Sequence, residues 1–108
     1  MSRTSGADLI AAERQRQVTA ENWTPEHDDR HRGGQLAMAA IAYVAKAVGV
    51  EVREVHLGPM RHIFTQVWPW GDKWDKREKH SAMRCLVIGG ALIAAEIDRR
   101  IRAGEGES

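Results

Sequence analysis

Two apolar runs organise this chain, "QLAMAAIAYVAKAVGV" from residue 35 and "LVIGGALIAAEIDRR" from residue 86. Both are longer than a strand and carry helical spacing, so each predicts a buried helix rather than a sheet. A first, more polar helix is predicted over about Ala7 to Ala20, with Ser5 able to cap it. On that helix Leu9, Ala12 and Arg16 share one face, and Ile10, Glu13 and Gln17 share the neighbouring one. A second start lies at "NWTPEHDD": Thr24 suits the N-cap and Pro25 the first helical position, and Glu26, Asp28 and Asp29 favour the positive end of the helix dipole. The favoured pattern is one continuous helix from Pro25 to about Val48, with Gly33 and Gly34 as small-residue contacts inside it.

Beyond it, "GVEVREVHLGP" fits either a short strand, by alternation at Val50, Val52 and His56, or a helical linker. Pro59 can open a short third helix, "PMRHIFTQVW". "WPWGDKW" reads as a loop, the last helix runs from about Arg77 to Arg102, and the tail from 103 to 108 frays. The expectation is one all-α domain, a small helical bundle of three to four helices with its core over about 7–102. At 108 residues the core is marginal, which favours completion by oligomerisation into a homo-oligomer.

Projecting a continuous helix at 100° per residue places Glu26, Asp29, Gly33, Ala37, Ala40 and Val44 on one side, with Leu36 beside them. Glu26 and Asp29 then point inward and can share one divalent cation, which would offset the cost of burying two carboxylates. Asp28, His31 and Gln35 fall on the opposite face. The plainer alternative is a solvated first turn, where acids gather in any case. The last helix is apolar all round from Leu86 to Ala95, with its richest stripe at Met83, Val87, Gly90, Ala94, Ile97 and Ile101. Glu96 lies away from that stripe, beside Cys85, Gly89 and Leu92, and either faces a site or partner or is the first solvated residue. Glu13 and Gln17, four apart, can hold a cation or fix a substrate's polar edge; on a polar helix they can equally be surface.

His27 and His31 are four apart, but no HExxH order or cysteine ligand accompanies them, so zinc is not indicated. An oxygen-rich cluster selects Mg²⁺ or Mn²⁺ instead. Trp23, just before the cap, suits a packing staple. Trp68, Trp70 and Trp74 with Lys73 can stack a base and hold a phosphate, although such a loop more often seals a core or an interface.

Composition narrows the function classes. With 43% hydrophobic and 29% charged residues the chain is of ordinary globular type. A net charge of +1 leaves no basic excess for gripping nucleic acid. The single cysteine, Cys85, has no intrachain partner and sits in core-like surroundings, which fits a reducing cytoplasm. No apolar run reaches the roughly 18 residues of a membrane span and no secretion signal opens the chain, so a soluble cytoplasmic protein is expected.

The segments "ERQRQ…ENWTPEHDDRHRGGQLAMAAIAYV", "WPW…WDK" and "LVIGGALIAAEID" resemble a group of small phage and prophage proteins. That likeness covers most of residues 9–102, and through it the chain resembles the MazG-like all-α NTP pyrophosphohydrolases. That resemblance implies an oligomeric helical bundle in which EExxE on one helix and ExxD on another bind Mg²⁺ and a nucleoside triphosphate, in the host cytoplasm if phage-encoded. Carried over by position, Glu26 and Asp29 supply ExxD. "ERQRQ" keeps Glu13 but has Arg14 and Gln17 where two acids belong, and Gln35 is a non-acid where relatives often carry Glu.

The implied mechanism holds the metal on Glu26, Asp29, Glu13 and Glu96, with Asp28 as general base. Arg30, Arg32 and Lys73 would neutralise phosphate charge, and Gln17, His31 and Trp70 would complete the substrate contacts. The departures at Arg14 and Gln17 bear on catalysis more than on fold. They open two alternatives: a non-catalytic protein that binds and sequesters a nucleotide, as a phage counter-defence sponge would, or a helical protein-interaction factor.

Overall fold

The computed structural model describes residues 4–49, 55–57, 61–64 and 79–105. Helix α1 (Gly6–Ala20) starts at a reciprocal capping box: Ser5 Oγ accepts from the Asp8 N–H, and the Asp8 carboxylate accepts from the Ser5 N–H. The chain reverses after α1 through Asn22, at φ 61°, a left-handed conformation that asparagine tolerates. Trp23 then folds back, its N–H donating to the Gln17 carbonyl at 2.9 Å. Thr24 caps α2 (Pro25–Asp28), accepting from the His27 N–H at 3.3 Å, with Pro25 at the first position as expected. Helix α3 (Gln35–Ala47) and helix α4 (Ala82–Arg102), the latter capped by Ser81, complete the helices among the described residues.

The architecture is the expected all-α bundle. Helix α4 is its axis, packing most extensively on α3, then on α1, and touching α2. The core is small-residue and tight: Leu36, Ala39, Ala40, Ala42 and Tyr43 from α3 meet Cys85, Ile88, Leu92 and Ala95 from α4. Two adjacent glycines set the approach on either side of α4. A Cβ on Gly89 would lie 3.1 Å from Val44 Cγ2 of α3, and one on Gly90 would lie 2.5 Å from Ile10 Cδ1 of α1. Cys85 is fully buried in this core, matching the core-like surroundings read from the sequence. No helix among the described residues is long and apolar enough to cross a membrane.

Several expectations are corrected. The helix predicted as continuous from Pro25 to Val48 is two helices, because Gly34 at the N-cap of α3 has φ 86° and a right-handed helix cannot pass through a left-handed residue. The projection built on that continuity therefore fails. Glu26 is exposed and Asp29 half-buried, whereas Asp28, assigned to the outer face, is fully buried.

In place of a third helix, β1 (Val55–Leu57) pairs antiparallel with β2 (Arg61–Phe64). Val55 faces Phe64 and His56 faces His62, so the register slips by one residue at Ile63. The buried side of α4 also differs from the stripe expected: Met83, Ile97 and Ile101 are exposed, and the core side is centred on Cys85, Ile88, Leu92 and Ala95. The helix starts at Ala82 rather than near Arg77, since Ser81 is its cap.

Candidate ligand-binding site

The first three helices and the start of α4 line a half-open cavity of about 810 Å³. Its apolar wall is Trp23, Leu36, Tyr43 and Ile88. Its polar lining divides into cations (Arg16, Lys79, Arg84), imidazoles (His27, His31, His80), and Glu13, Gln17, Glu21 and Asn22.

Beneath this lining runs a buried polar network. Glu13, 1% exposed, receives Arg16 Nε at 2.8 Å and the Arg84 guanidinium on Oε1, and Arg16 Nη2 at 2.9 Å and Gln17 Nε2 at 3.0 Å on Oε2. Burial pushes the Glu13 carboxyl up, but the hydrogen bonds from Arg16 and Gln17 and the charges of Arg16 and Arg84 outweigh it and hold it below its ordinary value. Arg16 is bound more firmly still in its charged form, chiefly by its hydrogen bond to Glu13, with a further bond to Glu21 at 3.1 Å.

Gln17 passes the network on. Its Oε1 accepts from Arg14 Nη1 at 3.4 Å, a donor that also reaches the Trp23 carbonyl at 3.4 Å. The Arg14 guanidinium pairs with Asp28 Oδ2, and Asp28 Oδ1 lies 3.1 Å from His27 Nδ1. The sequence Arg84–Glu13–Gln17–Arg14–Asp28–His27 thus links the start of α4 to α2 through three side chains that are 1% exposed or less. No buried side-chain nitrogen or oxygen among the described residues lacks a partner, so the network is complete, which is the condition for polar burial to be tolerated.

The imidazoles stand over one end of it. The His27 ring is parallel to Trp23, with centroids 6.0 Å apart and planes 4° apart, and His31 meets His27 edge-on at 4.9 Å. Burial, followed by the neighbouring His27 and Arg30 charges, lowers the His31 pKa against the opposing pull of Asp28.

Of the residues expected from sequence, the cavity brings together Glu13, Gln17 and His31. Asp28, expected as a free general base, is corrected: it is fully buried, with both oxygens engaged by Arg14 and His27. Glu26 stands outside the cavity, in solvent. Asp29 is bound by Arg102 at 2.8 Å beside a small hollow of about 80 Å³ that Arg32 and Arg99 also line. Arg30 is exposed in the turn, and Arg32 Nε donates to the Asp29 carbonyl at 3.3 Å. Glu96 is buried on the core side of α4, but there it receives Arg99 Nε at 2.6 Å and Arg100 Nε at 3.3 Å and meets no cavity. Trp70 and Lys73 lie outside the described residues.

The four carboxylates expected to share Mg²⁺ or Mn²⁺ therefore stand apart. Among the described residues no group of three or more histidine, cysteine, aspartate or glutamate side chains gathers around a metal position. Glu13, Asp29 and Glu96 already accept from guanidinium groups, so as arranged this donor set does not fit a divalent cation.

No family model, curated protein or solved structure matches the chain. The site has to be judged on its own geometry. Sequence reading missed Arg16, His27, Lys79, His80 and Arg84 as cavity residues. Arg16 carried a signal, three residues after Glu13 on one helix; Arg84, 71 positions from Glu13, carried none.

Proposed function

We propose that this protein binds a nucleotide or nucleotide-derived anion in the cavity, as a sequestering or carrier module. One observation carries the reading: a cavity of nucleotide-compatible size that combines an aromatic wall, Trp23 and Tyr43, with cations fixed from two helices. Among the described residues three cations, Arg16, Lys79 and Arg84, line it against two carboxylates, Glu13 and Glu21, an excess of one positive charge before any histidine is protonated. The resemblance to MazG-like pyrophosphohydrolases suggests the same ligand class. Binding is preferred to hydrolysis because three of the four carboxylates a metal-dependent pyrophosphohydrolase would use, Glu13, Asp29 and Glu96, are engaged by arginines.

The test is calorimetric titration with a panel of NTPs and dNTPs, with and without Mg²⁺ or Mn²⁺, followed by recovery of the ligand. Intact ligand bound at micromolar affinity or better supports the reading. Release of pyrophosphate would restore the hydrolase, and no binding anywhere in the panel would leave an interaction factor. Arg84→Ala is expected to weaken binding by roughly 10- to 100-fold, the worth of one charge-assisted hydrogen bond at about 1.5–3 kcal/mol.

A further inference from the structure

We propose that the cavity fixes which way round its ligand lies, with the phosphates at the start of α4 and a donor-bearing base edge against the Trp23–His27 pair. This rests on the nucleotide-binding reading above. It follows from what the buried network does at each of its two ends.

At the α4 end, Glu13 holds the Arg84 guanidinium through one nitrogen, Nη2, and Lys79 lines the same part of the chain. Arg84 therefore keeps donors to offer to an anion. Arg16 differs: Glu13 takes its Nε and Nη2 and Glu21 takes its Nη1. Its charge is matched within the protein, so it braces the seat rather than forming it.

At the α2 end the chemistry is reversed. A carboxylate can only accept, so Asp28 Oδ1 at 3.1 Å makes His27 Nδ1 the protonated nitrogen. Nε2 is then the ring nitrogen left to the cavity that His27 lines, and in the neutral ring it is an acceptor. Arg14, braced by Gln17 and the Trp23 carbonyl, holds Asp28 from behind. An acceptor lone pair repels phosphate oxygens and attracts an N–H. The parallel Trp23 ring and the edge-on His31 supply the flat apolar surface that a base needs. The ligand class this selects is a nucleoside phosphate whose base carries an N–H donor on its exposed edge.

Inorganic tripolyphosphate, which has phosphates and no base, separates the two ends. Affinities for it and for the tightest-binding NTP of the panel are measured by calorimetry on the wild type and on Arg84→Ala, His27→Phe and Asp28→Asn. His27→Phe keeps an aromatic ring and removes the acceptor. It is expected to weaken the NTP about 10-fold and leave tripolyphosphate within twofold, whereas Arg84→Ala weakens both. Asp28→Asn is expected to resemble His27→Phe, and if it fails to fold, His27→Phe still decides.

An equal loss of both ligands in His27→Phe would put His27 in the phosphate seat and overturn the proposal. NTP affinity unchanged in that variant would overturn it too, with nucleotide binding left standing. Failure of every ligand to bind the wild type removes the binding reading and this one with it. Independently of any ligand, ¹⁵N NMR of His27 at the pH of the titrations is expected to show the neutral Nδ1–H tautomer, and either the Nε2–H tautomer or the imidazolium would sink the proposal.

Discussion

Glu13 is the residue on which the site turns. A lone buried carboxylate would cost several kcal/mol. Here it accepts from Arg16, Gln17 and Arg84, and the two arginines keep part of their surface in water, with side chains 44% and 37% exposed. Because those cations can be rehydrated when the carboxylate goes, Glu13→Gln is expected to destabilise the fold by about 1–3 kcal/mol rather than the full cost of stranding a buried ion pair. Urea midpoints measure this.

The pH dependence has a definite sign. The folded-state pKa of Glu13 lies below its ordinary value of 4.5, so its contribution to stability is fully present above 4.5 and is lost as pH falls through the lower folded value. Glu96, held down by Arg99 and Arg100 against the opposing effect of burial, acts in the same direction. Unfolding free energy is expected to drop as pH falls below 4.5, and Glu13→Gln to flatten that drop; an unchanged slope in the variant would contradict the assignment. Part of this was legible in sequence, since the spacing of Ile10, Glu13 and Gln17 put the acid and amide on one face, although that face could equally have been surface. Arg84 was not, because only the packing of α1 on α4 brings it across 71 positions.

At the scale of elements, the caps at Ser5 and Thr24 were readable because capping is local chemistry: one side-chain oxygen and one backbone N–H within three residues. The join between α2 and α3 was not. Two glycines before an apolar run suit either a close helix contact or a break, and only the backbone angle separates them. That single choice rotated every acid in "PEHDD", sending Asp28 inward and Glu26 outward.

The two glycines now make different predictions. A side chain at Gly34 must adopt φ 86°, so Gly34→Ala is expected to cost about 1–2 kcal/mol. A Cβ on Gly33 would lie 3.2 Å from Gln35 Oε1, the oxygen that accepts from the Gly33 N–H, so Gly33→Ala is expected to cost at most about 0.5–1 kcal/mol, the worth of that one hydrogen bond. Were residues 25–48 one helix, alanine would stabilise both positions. Denaturant midpoints of the two variants, measured side by side, distinguish these cases.

For the whole molecule, the two long apolar runs made the helical class legible, because only helices of that length bury so continuous a stretch. They did not show which side of α4 the chain itself covers. Met83, Leu86, Ile93, Ile97 and Ile101 remain 66%, 44%, 45%, 50% and 58% exposed. With Gly90, the first four follow steps of three and four residues, 83–86–90–93–97, the spacing by which two like helices interlock. No charged side chain stands at those positions; Ile10 of α1 already packs on Gly90 at the middle, so a partner would meet α4 through the exposed residues beside that contact.

A second copy presents the same seam and matches it by symmetry. A homodimer is therefore expected in sedimentation equilibrium at micromolar concentration, and the pair Ile93→Glu with Ile97→Glu is expected to return it to a monomer. Neither residue lines the cavity, so the monomeric variant should keep its nucleotide affinity within about twofold. If the wild type is monomeric at high micromolar concentration, the seam is not a self-association surface. If the charged pair abolishes ligand binding as well as dimerisation, the cavity depends on the partner copy, and the site is not the property of one chain.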